Sequence, residues 1–240
     1  MPKHPAKFSD PMLPLFGQLL YTRRCRTVFD PMAGTGKLVQ IWKHGYTGTI
    51  FCNELEPEWC DLGNGAWWSC HDARDLPIAD SVFDAICTSP TYGNRMADHH
   101  EAKDDSRRIT YTHVLGRQLR PGNTGKMGWG PGYQDVSRAI WAECYRVLKP
   151  GGVLIFAVSD FIRGGEVVPV SDWHLKTLAD LGFEFVESHE VKTSRMRFGA
   201  NRQRVDHESV FVMEKSSEGL GDEWYQDDYD MREDSEEDLG

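Results

Sequence analysis

The sequence predicts an α/β fold in which helices cover both faces of a mostly parallel sheet, and two observations carry this prediction. Short β-branched or aromatic runs, bounded by Gly, Pro or Asp, alternate along the chain with stretches of helical period. Such alternation is typical of parallel strands joined by helical connections. The length of 240 residues and the apolar content of 40% allow one large domain with a sizeable core.

Seven strands are predicted. The six clearest apolar runs cover residues 27–30, 49–54, 82–88, 153–158, 183–191 and 207–214. A seventh strand is expected near residues 67–71, where strand propensity is weaker. Because the predicted strands alternate with helical stretches, all of them are expected to form one sheet.

Four helices are predicted between the strands, over residues 37–44, 57–63, 133–148 and 171–181. The third has the clearest pattern, since apolar residues recur on one face at spacings of three and four: Val136, Ile140, Cys144 and Val147. The sequence KPGG follows it and is typical of a helix end.

One connection is far longer than the others. Residues 93–132 span about 40 positions, whereas loops in α/β units usually have about 2–6, so this segment is predicted to be an inserted substrate-recognition loop. Residues 107–134 contain no acidic residue, and neither do residues 191–205. Both stretches are rich in arginine and lie between sheet elements, where binding loops are expected.

The acidic excess is concentrated in the C-terminal segment 216–240. That segment holds eleven acidic residues and one basic residue, so the rest of the chain has 26 of each, although the formal charge of the whole chain is −10. Like-charge repulsion and few aliphatic residues predict a disordered tail after a domain of residues 1–215. The neutral body leaves a polyanionic partner possible wherever basic residues cluster.

The six cysteines predict neither a disulfide framework nor a zinc site. They include no C-x-x-C pair, and Cys52 and Cys87 lie inside apolar strand runs, which is typical of reduced core thiols. Cys70 and His71 near Cys60 lack a second close-spaced ligand pair, so no metal is expected. The sequence shows neither a secretory signal nor a membrane-spanning run, which favours a cytoplasmic protein without a membrane partner.

A glycine turn follows the first predicted strand, in the sequence VFDPMAGTGKL. Gly34 and Gly36 permit positive φ angles and a close approach of a ligand to the main chain, at the strand ends where open α/β sheets bind ligands. A dinucleotide fingerprint needs a third glycine, and a P-loop needs Gly at Pro31 and Ser or Thr at Leu38. Neither NAD nor a P-loop nucleotide is therefore expected. The turn either binds another ligand or is a plain tight turn without a ligand.

Two acidic residues follow the next two strands. Glu54 ends the second strand, where a carboxylate can accept hydrogen bonds from both hydroxyls of a ribose. Asp72 ends the third strand, where it can accept a bond from an adenine amino group. Each alone is typical of a solvated acid, but together with the glycine turn they predict a nucleoside site.

Five motifs in this order resemble those of the S-adenosylmethionine-dependent amino-methyltransferases of DNA, the N4-cytosine and N6-adenine family: DPMAGTG, NELEP, DARDLP, TSPTYG and RVLKPGG. The resemblance spans residues 8–214 and implies a class I methyltransferase-like, Rossmann-like fold whose last strand, HESVFVMEK, is antiparallel. The segment KFSDPML resembles the part of that family that closes over the methionine end of the cofactor.

The resemblance implies that S-adenosyl-L-methionine is the cofactor. Its ribose would contact Glu54, and its adenine would contact Asp72 and Ala73. The complete set of cofactor-binding residues implied in this way is Phe8, Asp10, Asp30, Pro31, Ala33, Gly34, Thr35, Gly36, Glu54, Asp72 and Ala73.

The catalytic residues implied by the resemblance are Ser89, Pro90 and Tyr92. An exocyclic amino group is a poor nucleophile because its lone pair is delocalised into the base. In this family a side chain and a proline carbonyl accept its two hydrogens, here Ser89 and Pro90, and proline aims its carbonyl by fixing φ at about −65°. Tyr92 would stack on a base extruded from the duplex, which contributes about 1–3 kcal/mol.

The residues around the motif are expected to contact the substrate. Gly93 lets the chain turn away behind the Tyr92 ring, and Thr91 stands where the family usually has a second proline, which loosens the loop. Trp129, between glycines, is expected to be an exposed aromatic residue that can wedge or stack. The basic residues expected to neutralise DNA phosphates are Arg107, Arg108, Arg117, Arg120, Arg195, Arg197 and Arg202. Ordinary solvated basic loops with a buried tryptophan are the alternative.

Ser89 at the first motif position favours N4 of cytosine over N6 of adenine. Two other hypotheses remain open. The acceptor can instead be RNA or a protein glutamine amide, since enzymes with related Pro-Tyr motifs use both. Alternatively, Thr91 marks a degraded motif in a non-catalytic binder whose acidic tail mimics nucleic acid. The resemblance leaves the setting open between restriction-modification, protection and regulation.

Overall fold

The computed structural model describes residues 9–60, 65–93, 111–192, 205 and 207–217. Within these residues the strands are β1 (Thr27–Asp30), β2 (Thr49–Asn53), β3 (Trp67–Ser69), β4 (Phe83–Thr88), β5 (Leu148–Val158), β6 (Phe161–Arg163), β7 (Glu166–Val168), β8 (Phe183–Lys192) and β9 (His207–Lys215). The α-helices are α1 (Met12–Thr22), α2 (Tyr111–Leu115), α3 (Pro131–Val147) and α4 (Val170–Asp180). Two 3₁₀ helices cover Lys37–His44 and Thr124–Lys126.

Seven of the strands form one sheet in the order β3-β2-β1-β4-β5-β9-β8. Strands β1 to β5 pair in parallel, whereas β9 pairs antiparallel with both β5 and β8. The predicted mostly parallel seven-stranded sheet with an antiparallel last strand is therefore confirmed. The hairpin of β6 and β7 lies apart from this sheet and was not predicted.

The helices differ from their predictions mainly at the ends. Helix α3 begins two residues earlier than predicted, because Pro131 suits the first turn of a helix. Residues 37–44 form a 3₁₀ helix and not an α-helix. Residues 57–60 form turns, so the helix predicted over 57–63 is wrong in its described part. Helix α1 was not predicted.

Alternate residues of the central strands enter two separate core clusters, one on each face of the sheet. On β1, Val28 packs in the cluster beneath α1, whereas Phe29 packs in the cluster beneath α3 and α4. On β5, Ile155 and Phe156 divide in the same way. Because successive side chains of a strand point to opposite faces, a sheet covered on both faces needs apolar residues at every position.

The cysteines in the described residues are free thiols, and Cys52 and Cys87 are buried in the core as predicted. No group of three or more His, Cys, Asp or Glu side chains that could hold a metal ion occurs in the described part of the chain. In that same part, every helix is too short or too polar to cross a membrane.

Candidate functional site

The carboxyl ends of the parallel strands bring the predicted site residues to one edge of the sheet. The glycine turn leaves β1 at this edge, and both Gly34 (φ 56°) and Gly36 (φ 68°) have left-handed backbone conformations. Residues with a Cβ atom rarely adopt these angles, which explains the glycines. Pro31 and Ala33 are buried in the turn, and Thr35 is half-buried.

The carboxylate of Glu54 lies against this turn. Its Oε2 accepts a hydrogen bond of 2.8 Å from the backbone N–H of Gly34, and its Oε1 accepts bonds from the N–H groups of Leu55 and Glu56. A carboxylate has about four acceptor positions. Because three of them are occupied by these bonds, one acceptor position is left for a ribose hydroxyl. Burial raises the pKa of Glu54 to about 7.

Asp30 is buried at the end of β1, with 1% of its surface exposed. Its Oδ1 accepts hydrogen bonds from the Thr88 hydroxyl (2.7 Å) and from the Met32 N–H (3.2 Å). Its Oδ2 has no hydrogen-bond partner among the described residues. Burial, and to a smaller extent the nearby Glu54 carboxylate, raise the pKa of Asp30 to about 7. The unpaired oxygen is suited to a cationic ligand.

Asn53 connects the ends of three strands, and sequence reasoning missed it. Its amide nitrogen donates to the carbonyls of Pro31 and His71, and its amide oxygen accepts from the Ser69 hydroxyl and the His71 N–H. All its side-chain hydrogen-bonding groups are thus engaged while the residue is fully buried. The glycine turn is therefore tied to the ends of β2 and β3.

The residues expected at the adenine lie at the end of β3. Asp72 is engaged by Arg74, whose Nε and Nη2 donate to its two carboxylate oxygens at 2.9 and 2.6 Å. This interaction lowers the pKa of Asp72. Ala73 is buried in the core cluster beneath α3. Gly122 of the insertion lies beside this pair, since a Cβ atom there would be 2.6 Å from Arg74 Nη2 and 3.3 Å from Asp72 Oδ2.

The SPTY motif, residues 89–92, follows β4 directly. The hydroxyls of Ser89 and Tyr92 lie 3.3 Å apart, and the Tyr92 hydroxyl makes a long contact of 3.5 Å with Oε1 of Glu208 on β9. Pro90 is buried, whereas Ser89 and Tyr92 are half-buried. Glu208 was missed by sequence reasoning.

Gly93 meets the insertion at close range. Its carbonyl accepts a 2.6 Å hydrogen bond from the Trp129 N–H, and a Cβ atom at Gly93 would lie 3.1 Å from the Trp129 backbone. With a φ of 66°, this position favours glycine on both counts.

The start of the described chain also reaches this edge. Asp10 forms an ion pair of 2.5 Å with Lys37, the residue that follows the glycine turn. The Ser9 hydroxyl lies 3.5 Å from Oε2 of Glu208. Phe8 lies outside the described residues.

A buried glutamate that sequence reasoning missed anchors the insertion. The Glu56 side chain is fully buried and accepts from Nη2 of Arg117, the N–H of Arg120 and the Asn123 amide at 2.7–2.9 Å. Beside it, Trp59 packs in a small apolar cluster with Tyr111 and Leu119. The only sequence signal was a second acid in NELEP.

This anchor corrects the expectation that Arg117 offers a free charge to phosphates. Arg117 is paired with Glu56 and also with Glu58, so its charge is already neutralised within the protein. Arg120 is exposed, and its guanidinium donates only to the Leu55 carbonyl, at 3.3 Å, among the described partners. Five further predicted basic residues lie outside the described residues: Arg107, Arg108, Arg195, Arg197 and Arg202.

Trp129 is half-buried, which corrects the expectation of an exposed ring. It lies 5.4 Å from the Tyr133 ring and 5.8 Å from the Trp173 ring, measured between centroids. It joins α3 and α4 to the SPTY motif through its bond to Gly93. Thr91 is half-buried, and its carbonyl accepts a hydrogen bond from the Tyr133 hydroxyl.

Comparisons with known proteins identify the fold. No protein-family model matches this chain, and no curated protein matches it in sequence. A SAM-dependent methyltransferase from Methanosarcina mazei is similar in structure, with a TM-score of 0.51 and 14% identity over 80% of this chain and 93% of that one.

Two further solved structures are similar. A Galdieria sulphuraria protein described as a sarcosine dimethylglycine methyltransferase has a TM-score of 0.54 and 11% identity over 89% of this chain and 93% of its own. The [4+2]-cyclase SpnF has a TM-score of 0.52 and 15% identity over 85% and 82%. At such identities the likeness shows the fold alone. The chain has the class I, Rossmann-like fold that SAM-dependent methyltransferases share.

Proposed function

We propose that this protein transfers the methyl group of S-adenosylmethionine to an exocyclic amino group of a DNA base, with N4 of cytosine favoured over N6 of adenine. The observation that carries the proposal is the meeting of the Ser89 and Tyr92 hydroxyls, 3.3 Å apart, directly after β4. The last residue of that strand, Thr88, is bonded to Asp30 beside the glycine turn. A cofactor at the turn and an amine at the motif would therefore be neighbours.

The residues at the glycine turn fit the cofactor. Two buried carboxylates, Asp30 and Glu54, both have a raised pKa, and Asp30 Oδ2 lacks a partner among the described residues. A nearby positive charge favours the ionised form of such groups. S-adenosylmethionine carries an ammonium and a sulfonium and supplies an electrophilic methyl group. The SAM-dependent structural neighbours support the same cofactor.

The motif can shape the amino group through its acceptors. The Tyr92 hydroxyl donates toward Oε1 of Glu208, so the Ser89 hydroxyl can in turn donate to the Tyr92 oxygen. This orientation leaves the lone pairs of the Ser89 oxygen for one amino hydrogen. The Pro90 carbonyl would accept the other, which directs the nitrogen lone pair toward the methyl group.

With the amino group held in this way, the reaction would need no covalent intermediate between protein and substrate. The cofactor would supply an electrophilic methyl group to an amino nitrogen held by Ser89 and Pro90. Transfer would break the bond between that methyl group and sulfur, and the surplus amino proton would pass to water. Ser89 stays protonated throughout, because a serine hydroxyl is not a base at neutral pH. Rate enhancement would come from proximity and alignment.

DNA as the substrate is supported by the aromatic face of Tyr92, since chemistry on a duplex base requires its extrusion. Tyr92 is half-buried and packs against the core cluster beneath α3, so its ring is held by the protein. The exposed side chain of Arg120 is available for a phosphate.

The decisive experiment combines a binding measurement with base-resolved product analysis. The protein is mixed with S-adenosylmethionine and, separately, with duplex DNA, single-stranded DNA or RNA, and the digested products are analysed by mass spectrometry. We expect N4-methylcytosine from the duplex.

Each arm of this experiment bears on one part of the proposal. N6-methyladenine alone would overturn the choice of base, and methylation confined to RNA would overturn the choice of DNA. Absence of methylation in all arms, despite cofactor binding by calorimetry, would overturn methyl transfer to nucleic acid.

A further inference from the structure

A chain of hydrogen bonds runs from the interior of α3 and α4 to the SPTY motif. Trp141 Nε1 lies 2.9 Å from His174 Nδ1, and His174 Nε2 lies 3.1 Å from the Tyr133 hydroxyl oxygen. The Tyr133 hydroxyl in turn donates to the Thr91 carbonyl. These four residues connect two helices to the residue just before Tyr92.

The direction of each bond follows from the chemistry of the donors. An indole N–H can only donate, so His174 Nδ1 must be the unprotonated acceptor. A neutral imidazole then carries its single proton on Nε2 and donates it to the Tyr133 oxygen. The Tyr133 hydroxyl therefore uses its own proton to donate to the Thr91 carbonyl. All three hydrogen bonds donate in the same direction, from Trp141 toward Thr91.

Burial keeps this arrangement unique. Trp141 and His174 have no exposed surface, and Tyr133 has 1%. Desolvation lowers the pKa of His174 to about 3, so the ring stays neutral near pH 7. A second proton on His174 would also leave the Trp141 N–H facing another donor. Buried polar groups are costly when unpaired, so each member holds the next in position.

The loop needs such support because of its sequence. By the resemblance described above, Thr91 stands where a second proline would restrict the backbone, and threonine does not restrict φ as proline does. Two backbone carbonyls on either side of Tyr92 are held instead: Thr91 by Tyr133, and Gly93 by the N–H of Trp129. Both anchors come from α3 and the segment leading into it.

We propose that Tyr133 and His174 are positioning residues that hold the SPTY loop through the Thr91 carbonyl and so supply the restraint that the missing proline would provide. This inference rests on the proposed function. It assigns to α3 and α4 a role in aligning Ser89 and Pro90 with the amino group.

The first test is Tyr133→Phe, with Tyr145→Phe as the matched control. Both variants remove a hydroxyl from the same helix, but Tyr145 lies near Gly182 at the opposite end of α3. Since misplacement of reacting groups by 1 Å can cost about 100-fold in rate, we expect kcat for Tyr133→Phe to fall by at least about tenfold, with the cofactor Kd unchanged within about twofold. Tyr145→Phe should keep the wild-type kcat. Equal kcat values for both variants and the wild type would overturn the proposal.

Three further variants separate positioning from a general loss of stability. Thr91→Pro in the Tyr133→Phe background should restore at least part of kcat, because proline restricts the same stretch of backbone. His174→Gln, which can keep a donor toward Tyr133, should lose less kcat than His174→Leu. A double variant that folds with the cofactor Kd of the wild type but recovers no activity would contradict the proposal.

Hydrogen exchange gives a readout that does not depend on methyl transfer. Loss of one hydrogen bond worth about 1 kcal/mol corresponds to roughly fivefold faster local opening. The Trp129 amide, which donates to the Gly93 carbonyl, should therefore exchange faster in Tyr133→Phe and not in Tyr145→Phe. If the wild type binds cofactor but methylates nothing, the proposed function fails, while this measurement still decides whether Tyr133 holds the loop. Unchanged exchange at the Trp129 amide would overturn the inference.

Discussion

The Thr88 hydroxyl donates a 2.7 Å hydrogen bond to Oδ1 of Asp30, and this bond joins the strand that precedes the SPTY motif to the strand that precedes the glycine turn. Both residues are buried, with 0% and 1% of their surface exposed. Their contact sets the spacing between the two halves of the candidate site. It also leaves Oδ2 of Asp30 without a hydrogen-bond partner among the described residues.

Ser89→Ala should abolish turnover and leave cofactor binding nearly intact. The Ser89 hydroxyl contacts Tyr92 within the SPTY motif, and Ser89 is not part of the glycine turn. We expect kcat to fall by at least about 100-fold, as when one preorganised polar group is removed from an active site. Calorimetry with S-adenosylmethionine and a methylation assay measure the two quantities. Tyr92→Phe retains the stacking face and should keep much more activity than Tyr92→Ala. A fully active Ser89→Ala variant would show that the motif does not carry the chemistry.

The stability of the ligand-free protein should decrease as the pH rises from about 4 to about 7. Burial raises the pKa of Asp30 from 3.8 and that of Glu54 from 4.5, in each case to about 7. In this window Asp30 and Glu54 bind protons in the folded protein that they lose in the unfolded chain. His174, whose pKa burial lowers to about 3, opposes them, but it is one group against two, so raising the pH favours unfolding. Denaturant titrations at several pH values measure the effect, and Asp30→Asn should remove part of it.

Cofactor binding should have the opposite pH dependence. A cationic cofactor favours ionised carboxylates, so its affinity should increase as the pH rises through about 7, and Asp30→Asn should weaken both the affinity and this increase. Calorimetry between roughly pH 5.5 and 8.5 tests the expectation, because this range extends to both sides of the pKa of about 7 of Asp30 and Glu54. An affinity independent of pH in the wild type would argue against a cation beside Asp30.

Glu56→Gln should destabilise the protein far more than Glu58→Gln. The Glu56 carboxylate is fully buried and holds Arg117, Arg120 and Asn123, whereas the Glu58 side chain is 42% exposed. Breaking a buried pair costs about 3–5 kcal/mol, and because Arg117 is partly exposed we expect about 2 kcal/mol here, against less than about 1 kcal/mol for Glu58→Gln. Urea titrations measure both. Similar values for the two variants would contradict the anchoring role of Glu56.

Arg120→Ala should change DNA binding and Arg117→Ala should not, apart from its effect on folding. A phosphate contact contributes about 0.9 to the slope of log affinity against log salt. Of these two arginines, Arg117 is paired with carboxylates, whereas the Arg120 guanidinium has no carboxylate partner among the described residues. Fluorescence anisotropy at several salt concentrations gives the slope. A reduced slope for Arg117→Ala, with stability unchanged, would show that its pairs with Glu56 and Glu58 open on DNA.

Local pattern was sufficient for most of the fold. Strand β1 was predicted with its observed ends, and β9 within one residue, because β-branched runs between Gly, Pro and Asp depend on the nearest neighbours in the chain. Helix α1 was missed: only its first two residues fall in the segment KFSDPML that was interpreted through the resemblance, and no element was predicted for the rest. Residues 57–60 form turns, and Trp59 among them is buried against Tyr111 and Leu119 of the insertion, a contact that sequence period cannot predict.

The sequence by itself determined the parallel sheet, the glycine turn and the placement of Ser89 and Tyr92 after a buried strand. The tertiary structure alone decided which polar groups pair. Glu56 neutralises Arg117 across 61 positions, and Tyr133 holds Thr91 across 42. The physical reason is that periodicity and turn chemistry are set by residues adjacent in the chain. A buried charge or carbonyl, in contrast, is satisfied by whichever donor the packing of distant helices and loops brings within hydrogen-bond distance.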